Sequence, residues 1–402
     1  MSATSSIVIV GGGHAGGKAA IALRAEGHTG PITIVGEENH PPYERPPLSK
    51  EYLQGESEAD AMLLEPADWY AEHDITLLQG VTATRIDAEA RRVHLDQGEP
   101  LPYDLLLLAT GATPRRLDIP GAELALTLRR VEDSDALREA YERSGSVVII
   151  GGGWIGLETA AAARKAGLDT TVLEFAPLPL QAALGDELGS YFAELHRRNG
   201  VDLRTSAAAE AISGTGPYVV RSGGDEITAD LVVMGVGAAP STALAEAAGL
   251  AVDNGITVDE SFRTSDPAIY AIGDVANAQN TALGTRLRVE HWDNAIKQGE
   301  AVAKVMLGQP VTYDWQPYFY TDQFDLGMEY VGRGGSSNDV VIRGDKDDGE
   351  FIAFWLDGDR VTAGMNVNIW DVTEDIRALI GRSVDRARLA DPGVPLTEVV
   401  ES

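Results

Sequence analysis

An α/β protein holding two βαβ units of one design is what the 402-residue sequence predicts, and three observations carry that expectation. The apolar run IVIV leads into Gly11, Gly13 and Gly16 and then into AGGKAAIALRAEG, whose small residues suit a helix pressed against a sheet. The run SVVII leads in the same way into Gly151, Gly153 and Gly156 and then LETAAAARKAG. Each unit continues into a second strand that closes on an acid, ITIVG before Glu37 and TTVL before Glu174.

Strand, glycine-rich turn, helix and distant acid form one machine. Glycine lets backbone approach a pyrophosphate, the helix amides receive its charge, and the carboxylate accepts ribose hydroxyls. Both units therefore read as Rossmann-like dinucleotide sites. An acid at 174 favours a free 2′-hydroxyl over a 2′-phosphate, hence NAD over NADP. Arg164 and Lys165 lie on the helix and do not reverse this. Two loops mean two dinucleotides, or one ligand and a decayed duplicate; the second copy shows no decay.

At 42.7 kDa the chain needs two or three domains. A hydrophobic content of 44% fits a globular protein, and no apolar run reaches membrane-spanning length. The amino terminus enters a strand without a basic segment before an apolar one, which argues for a cytoplasmic protein. There are no cysteines, so disulfides, thiolate metal sites and Cys-ligated iron–sulfur clusters are excluded. With 32 basic against 62 acidic residues the net charge is -30, which argues against nucleic acid and anionic membranes as partners.

DLLLLATGATP (104–114) and DLVVMGVGAAP (230–240) repeat one pattern of apolar strand, small residues and proline, suited to segments crossing between nucleotide domains. AIYAIGDVAN (268–277) adds a strand-turn signal with Asp274 at a helix start, where it would receive ribityl hydroxyls or simply cap the helix. The carboxy-terminal stretch reads as strands at FIAFWL and RVTAGMNV, then as helix through DVTEDIRALIG.

GGGHAGGKAA, PPYERPPLSKEYL, LLATGATPR, GGGWIGLETAAAARKAG, TSDPAIYAIGDVA, VEHWDNAIKQGE and PYFYTDQFD together resemble the FAD-dependent, NADH-linked ferredoxin reductases of bacterial cytochrome P450 and dioxygenase systems. These belong to the wider glutathione-reductase-like flavoproteins. RPPLSK, EHWDNA and FYTDQF are the more particular segments. The resemblance implies an FAD domain at 1–113 and 242–317, split around an NAD domain at 114–241, with a carboxy-terminal α+β domain over 318–402. It implies FAD contacts at Gly11, Gly13, His14, Ala15, Gly16, Glu37, Arg45, Lys50 and Val81, the last through backbone alone. Further FAD contacts are expected at Ala109, Thr110, Gly111, Arg129, Gly273, Asp274, Glu290, His291 and Trp292, the tryptophan against the isoalloxazine. His14 and His291 have no acid–base role in this reading. NADH contacts are implied at Gly151, Gly153, Ile155, Gly156, Glu158, Glu174 and Gly237.

Related flavoenzymes pair an acid at the position of Glu158 with a lysine at that of Lys50, beside flavin N5. The resemblance thus implies a Lys50–Glu158 ion pair as the catalytic polar group; the alternative is that Glu158 is a favourable charge in a helix's first turn. Hydride transfer to flavin needs positioning rather than an acid or base. A [2Fe–2S] ferredoxin then takes electrons one at a time. Such ferredoxins are acidic like this chain, so docking calls for local cations, with Arg115, Arg116, Arg286, Arg288 and Lys297 as candidates. Alternatives on the same fold are NADH reductases for rubredoxin, nitrite or quinone, and a redox-sensing flavoprotein like apoptosis-inducing factor. Disulfide reductases are excluded by the missing cysteines.

Overall fold

The computed structural model describes residues 4–400. The chain divides into two compact units, one of residues up to Pro46, Glu58–Thr113 and Ala238–Pro317, the other of Pro47–Ser57, Pro114–Gly237 and Tyr318 onward.

The first unit is built on a five-stranded parallel sheet in the order Ile269–Ala271, Leu105–Leu108, Ile7–Val10, Ile32–Gly36, Ile75–Gln79. LLLL and IVIV are buried at every position, the mark of a sheet covered on both faces. The helices His14–Ala25 and Trp292–Met306 pack so closely that a Cβ on Gly299 would lie 2.9 Å from the Lys18 Cβ. That approach explains the run of glycine and alanine in both. The 268–277 segment departs from expectation: Gly273–Val275 is a single 3₁₀ turn and the chain continues as the strand Ala276–Asn280 rather than a helix. Gly273 at φ +72 turns the chain, and Asn277 to Asn280 then pair antiparallel with Thr285–Arg288.

In the second unit a four-stranded parallel sheet runs Asp202–Arg204, Asp169–Leu173, Ser146–Ile150, Leu231–Met234. A five-stranded antiparallel sheet comes after it, in the order Tyr318–Gln323, Leu326–Gly332, Arg360–Val367, Glu350–Asp357, Asp339–Asp345. Its strand FIAFWL is buried throughout, because successive side chains enter two different cores. Phe351, Ala353 and Trp355 join Leu157, Leu184, Leu188 and Phe192, while Ile352, Phe354 and Leu356 join Ile376, Leu379 and Leu389. Trp355 Nε1 also donates to the Leu184 carbonyl at 3.0 Å. The carboxy-terminal sheet therefore shares its core with the helices Trp154–Lys165 and Gln181–Arg198.

Residues 47–57, expected with the FAD part, pack in this second unit too. Leu53 enters the core beside Leu137 and Ala160, Tyr52 Oη donates to Asp135 at 2.7 Å, and Ser134 Oγ donates to the Leu48 carbonyl at 2.8 Å. The two expected crossing segments pair with each other as a ribbon, Ala112–Pro114 with Ala238–Pro240. Among the described residues no helix is long and apolar enough to cross a membrane, and no cluster of His, Cys, Asp and Glu is arranged to hold a metal.

Candidate dinucleotide sites and a buried ion pair

The first loop leaves the Ile7–Val10 strand at Gly11, whose φ of +117 and whose position under the Ala109 carbonyl exclude a side chain; a Cβ would sit 2.1 Å from that oxygen. Gly16 presses the helix onto the loop, a Cβ there meeting the Gly11 carbonyl at 2.1 Å. Gly13, by contrast, opens the helix with no side-chain cap, and the nearest atom to a Cβ there is Arg45 Nη2 at 3.6 Å. An anion at this place meets uncapped helix amides on one side and a guanidinium on the other. Arg45 is held in position by Glu38 at 2.7 Å.

Around the loop stand several of the expected residues. His14 is buried edge-on to Trp292, with ring centroids 6.0 Å apart, and neither imidazole nitrogen has a protein hydrogen-bond partner. Burial, with Lys18 and Arg45 adding repulsion, drives it down to about 3, so it stays neutral. Gly273 donates its amide to Gln298 Oε1 at 2.7 Å, and a Cβ on it would come 2.9 Å from that of Ala15, which brings Asp274 to the loop's helix. Val81 gives its amide to the Gly36 carbonyl at 3.0 Å, leaving its carbonyl as the backbone group for a ligand. Ala109 donates to the Val10 carbonyl at 2.8 Å, and Thr110 Oγ1 to the Ser241 carbonyl at 2.8 Å, ahead of Gly111. Glu37 stands exposed beyond the second strand. Glu290 is engaged by Arg288, next to His291. Arg129 and Lys50 belong to the second unit, where the Arg129 amide donates to Asp133 at 2.9 Å. The loop, its opposing arginine and its glycine contacts fit a pyrophosphate-bearing dinucleotide.

The second loop repeats the design. A Cβ on Gly151, at φ +107, would lie 2.4 Å from the Gly235 carbonyl oxygen, and one on Gly156 2.0 Å from that of Gly151. A Cβ on Gly153 would find nothing within 4 Å. Glu174 is fixed at the strand end by two amides, Gly152 N–H to Oε2 at 2.5 Å and Ala176 N–H to Oε1 at 2.7 Å. Ile155 on the helix's first turn is 43% exposed and Phe175 is 80% exposed, so apolar surface flanks the loop. Gly237, at φ +94, accepts from the Arg115 amide at 2.8 Å. This site too fits a dinucleotide.

Deeper in the second unit, Lys50 Nζ lies 2.9 Å from Glu158 Oε2, the acid being 5% exposed. Lys50 sits at the end of the Pro46–Ser49 turn, where paired prolines stiffen the chain, and its ammonium faces the Tyr320 ring at 5.4 Å. Glu158 does not rest on the lysine alone. Ser49 Oγ donates to Oε2, and Thr321 Oγ1 donates to Oε1 at 2.5 Å. Thr321 in turn accepts from Gln323 Nε2 at 3.2 Å, and Gln323 Oε1 meets His196 Nε2 at 2.8 Å. From the sequence no role falls to Ser49, Thr321, Gln323 or His196, although Ser49 lies in the RPPLSK segment. Thr321 and Gln323 do lie in the FYTDQF segment, two apart and so on one face of its strand.

His196 is buried, which holds its imidazole down to about 4 against the hydrogen bond to Gln323. Unfolding releases it to its ordinary value of 6.5, so between those values the unfolded chain binds the extra proton and stability falls as pH falls. The expected loss from this group is about 2 kcal/mol between pH 7 and pH 5. Urea midpoints of the wild type and His196→Gln at the two pH values check it; the difference shrinks in the variant.

The suggested docking cations are largely occupied. Arg286 Nη1 donates to the Val258 and Asn277 carbonyls, Arg288 to Glu290 and the Asp274 carbonyl, and Arg116 to the carbonyls of Ala122 and Ala125. Lys297 pairs with Asp293 at 2.8 Å. Arg286 and Arg288 thus each have a structural role in holding backbone carbonyls. Arg115 and Arg116 are both exposed to solvent.

Two complete Rossmann loops without a cysteine, joined to an antiparallel sheet, define a two-dinucleotide protein whose chemistry is not thiol-based. The model described as pyridine nucleotide-disulphide oxidoreductase matches residues 5–299, and that described as reductase C-terminal matches 318–400. The chain belongs to the pyridine nucleotide-disulphide oxidoreductase family. It is 40% identical to rhodocoxin reductase of Rhodococcus erythropolis over 90% of this chain and 86% of that one. It is 41% identical to the anthranilate 1,2-dioxygenase system ferredoxin–NAD(+) reductase component of Burkholderia cepacia, over 97% and 98%. The solved covalent putidaredoxin reductase–putidaredoxin complex matches with a TM-score of 0.94 at 36% identity, covering 99% of this chain and 98% of that one.

Proposed function

We propose that the protein is an NADH-dependent ferredoxin reductase of a bacterial oxygenase system. The observation that carries this is 41% identity over 97% of the chain with a ferredoxin–NAD(+) reductase component, in a chain whose two glycine loops are both intact. The first loop holds FAD and the second NADH. FAD, when bound, accepts a hydride at N5 and releases electrons singly. The chain supplies the rest: Arg45 and the helix amides at Gly13 hold one pyrophosphate, the amides at Gly153 the other, and Glu174 the adenosine ribose. The partner is a [2Fe–2S] ferredoxin that serves a cytochrome P450 or Rieske oxygenase, and the setting is the cytoplasm.

Selectivity for NADH rests on Glu174. Because loop amides fix both its oxygens, it cannot swing away from a 2′-phosphate. Glu174→Ala should lose roughly 1–2 kcal/mol of NADH binding, about a 5- to 30-fold rise in KM, while the KM for NADPH falls. Equal effects on the two coenzymes would remove this role.

Purified protein, NADH and cytochrome c, with and without [2Fe–2S] ferredoxins from the same genome, test the function. A ferredoxin should accelerate cytochrome c reduction severalfold or more at saturating NADH. Reduction of quinone or rubredoxin with no response to any ferredoxin would reject it.

A further inference from the structure

We propose that Thr321 and Gln323, braced by His196, are positioning residues for the Lys50–Glu158 pair, so that the carboxy-terminal sheet takes part in setting up flavin reduction. This rests on the reading that the Lys50–Glu158 pair serves that step.

Hydrogen-bond direction runs consistently through these residues. An ionised carboxylate only accepts, and here each of its oxygens has an assigned donor: Lys50 and Ser49 on Oε2, Thr321 on Oε1. Thr321 has one proton, and giving it to Glu158 obliges its oxygen to accept from Gln323 Nε2. The amide of Gln323 is thereby oriented with Oε1 toward His196, so Nε2 of that imidazole carries the hydrogen. Nδ1 of His196 is buried without a hydrogen-bond partner, which suits the neutral Nε2–H tautomer. Every donor from His196 to Thr321 therefore points one way and ends on the carboxylate. All four residues are buried, so no water competes for these bonds.

Position matters as much as charge. Glu158 rides on the Trp154–Lys165 helix, and the 46–50 turn, through Ser49 and Lys50, holds only its Oε2. A third element holds the other oxygen: the Tyr318–Gln323 strand presents Thr321, backed by Gln323 on the same face, to Oε1. Without Thr321 Oγ1, Oε1 loses its donor and the carboxylate is held at Oε2 alone, which loosens its orientation and that of the ammonium paired with it.

The test is a set of variants of the FAD-loaded protein. Thr321→Val keeps the branched shape and removes only the hydroxyl; Thr321→Ser keeps the hydroxyl. Flavin reduction by saturating NADH is followed by stopped flow, alongside the reduction potential of bound FAD and the NADH dissociation constant. Thr321→Val is expected to slow reduction about tenfold and shift the potential in the same direction as Glu158→Gln, with NADH affinity within twofold. Thr321→Ser should recover the wild-type values. In a Lys50→Met background Thr321→Val should add less than twofold, because the pair it positions is already gone. Wild-type rate and potential in Thr321→Val, or a full additional tenfold in the Lys50→Met background, overturn the proposal. A wild-type rate in Lys50→Met instead overturns the reading beneath it, and the positioning role falls with it.

Discussion

Lys50→Met is expected to slow flavin reduction about a hundredfold while FAD stays bound. A preorganised charge directed at a reacting centre typically contributes about 3 kcal/mol to the barrier, and here the ammonium is held by a buried carboxylate and an aromatic face. Methionine matches the lysine stem in length, so packing is kept and the charge alone is removed. The measurements are the stopped-flow reduction rate at saturating NADH and the flavin absorbance per chain. A wild-type rate at full flavin occupancy would falsify the assignment.

The same substitution carries a stability cost that must be separated from its kinetic one. It leaves Glu158 buried with two hydroxyl donors and no countercharge, where breaking a buried pair costs about 3–5 kcal/mol. The two hydroxyls put the expected value at or below the low end. Adding Glu158→Gln removes the stranded charge, so the double variant should regain much of the denaturation midpoint and none of the rate. Stability then recovers while the rate does not, which no general loosening of the fold reproduces.

The parts of this molecule that sequence conveys are those set by near neighbours. Gly11, Gly13 and Gly16 announce their loop because strand, turn and helix succeed one another within twenty residues, and the same holds at 151–156. FIAFWL reads as a strand for the same reason, although only the structure shows that its odd and even residues enter different cores. Asp274 reads as a helix start because a glycine–acid step resembles a cap. The antiparallel partner at Thr285–Arg288, which makes a strand of the next five residues, has no local signature. Lys50 and Glu158 come within 2.9 Å across 108 positions, 50 to 158, and only the family resemblance joins them in the sequence. Thr321 and Gln323 share only the family-like FYTDQF segment, and His196 has no such signal. The arginines at 286 and 288 show the converse: sequence displays a charge, and cannot display the carbonyls it also holds.

Gly153→Ala and Gly151→Ala form a pair whose contrast locates NADH on the second loop. At Gly153 the backbone is extended, φ -81 and ψ -178, and a methyl group would touch no protein atom within 4 Å. Alanine therefore costs the fold almost nothing, yet it stands where a pyrophosphate must approach the helix amides. At Gly151 the methyl would meet a backbone carbonyl oxygen at 2.4 Å, at a φ that alanine adopts only at a cost of about 1–2 kcal/mol. Neither the carbonyl nor the strand behind it can swing aside as a side chain would. Gly153→Ala should thus weaken NADH binding about thirtyfold with an unchanged melting temperature, whereas Gly151→Ala should weaken it at least as much and lower the melting temperature by several degrees. FAD content should be unaffected in the first, because its loop belongs to the other compact unit. Titration of each oxidised variant with NAD+ and thermal melts of the same samples give the two numbers. Native coenzyme affinity in Gly153→Ala would mean that the open side of this loop is not where the pyrophosphate lies, and the assignment of the second nucleotide would have to move.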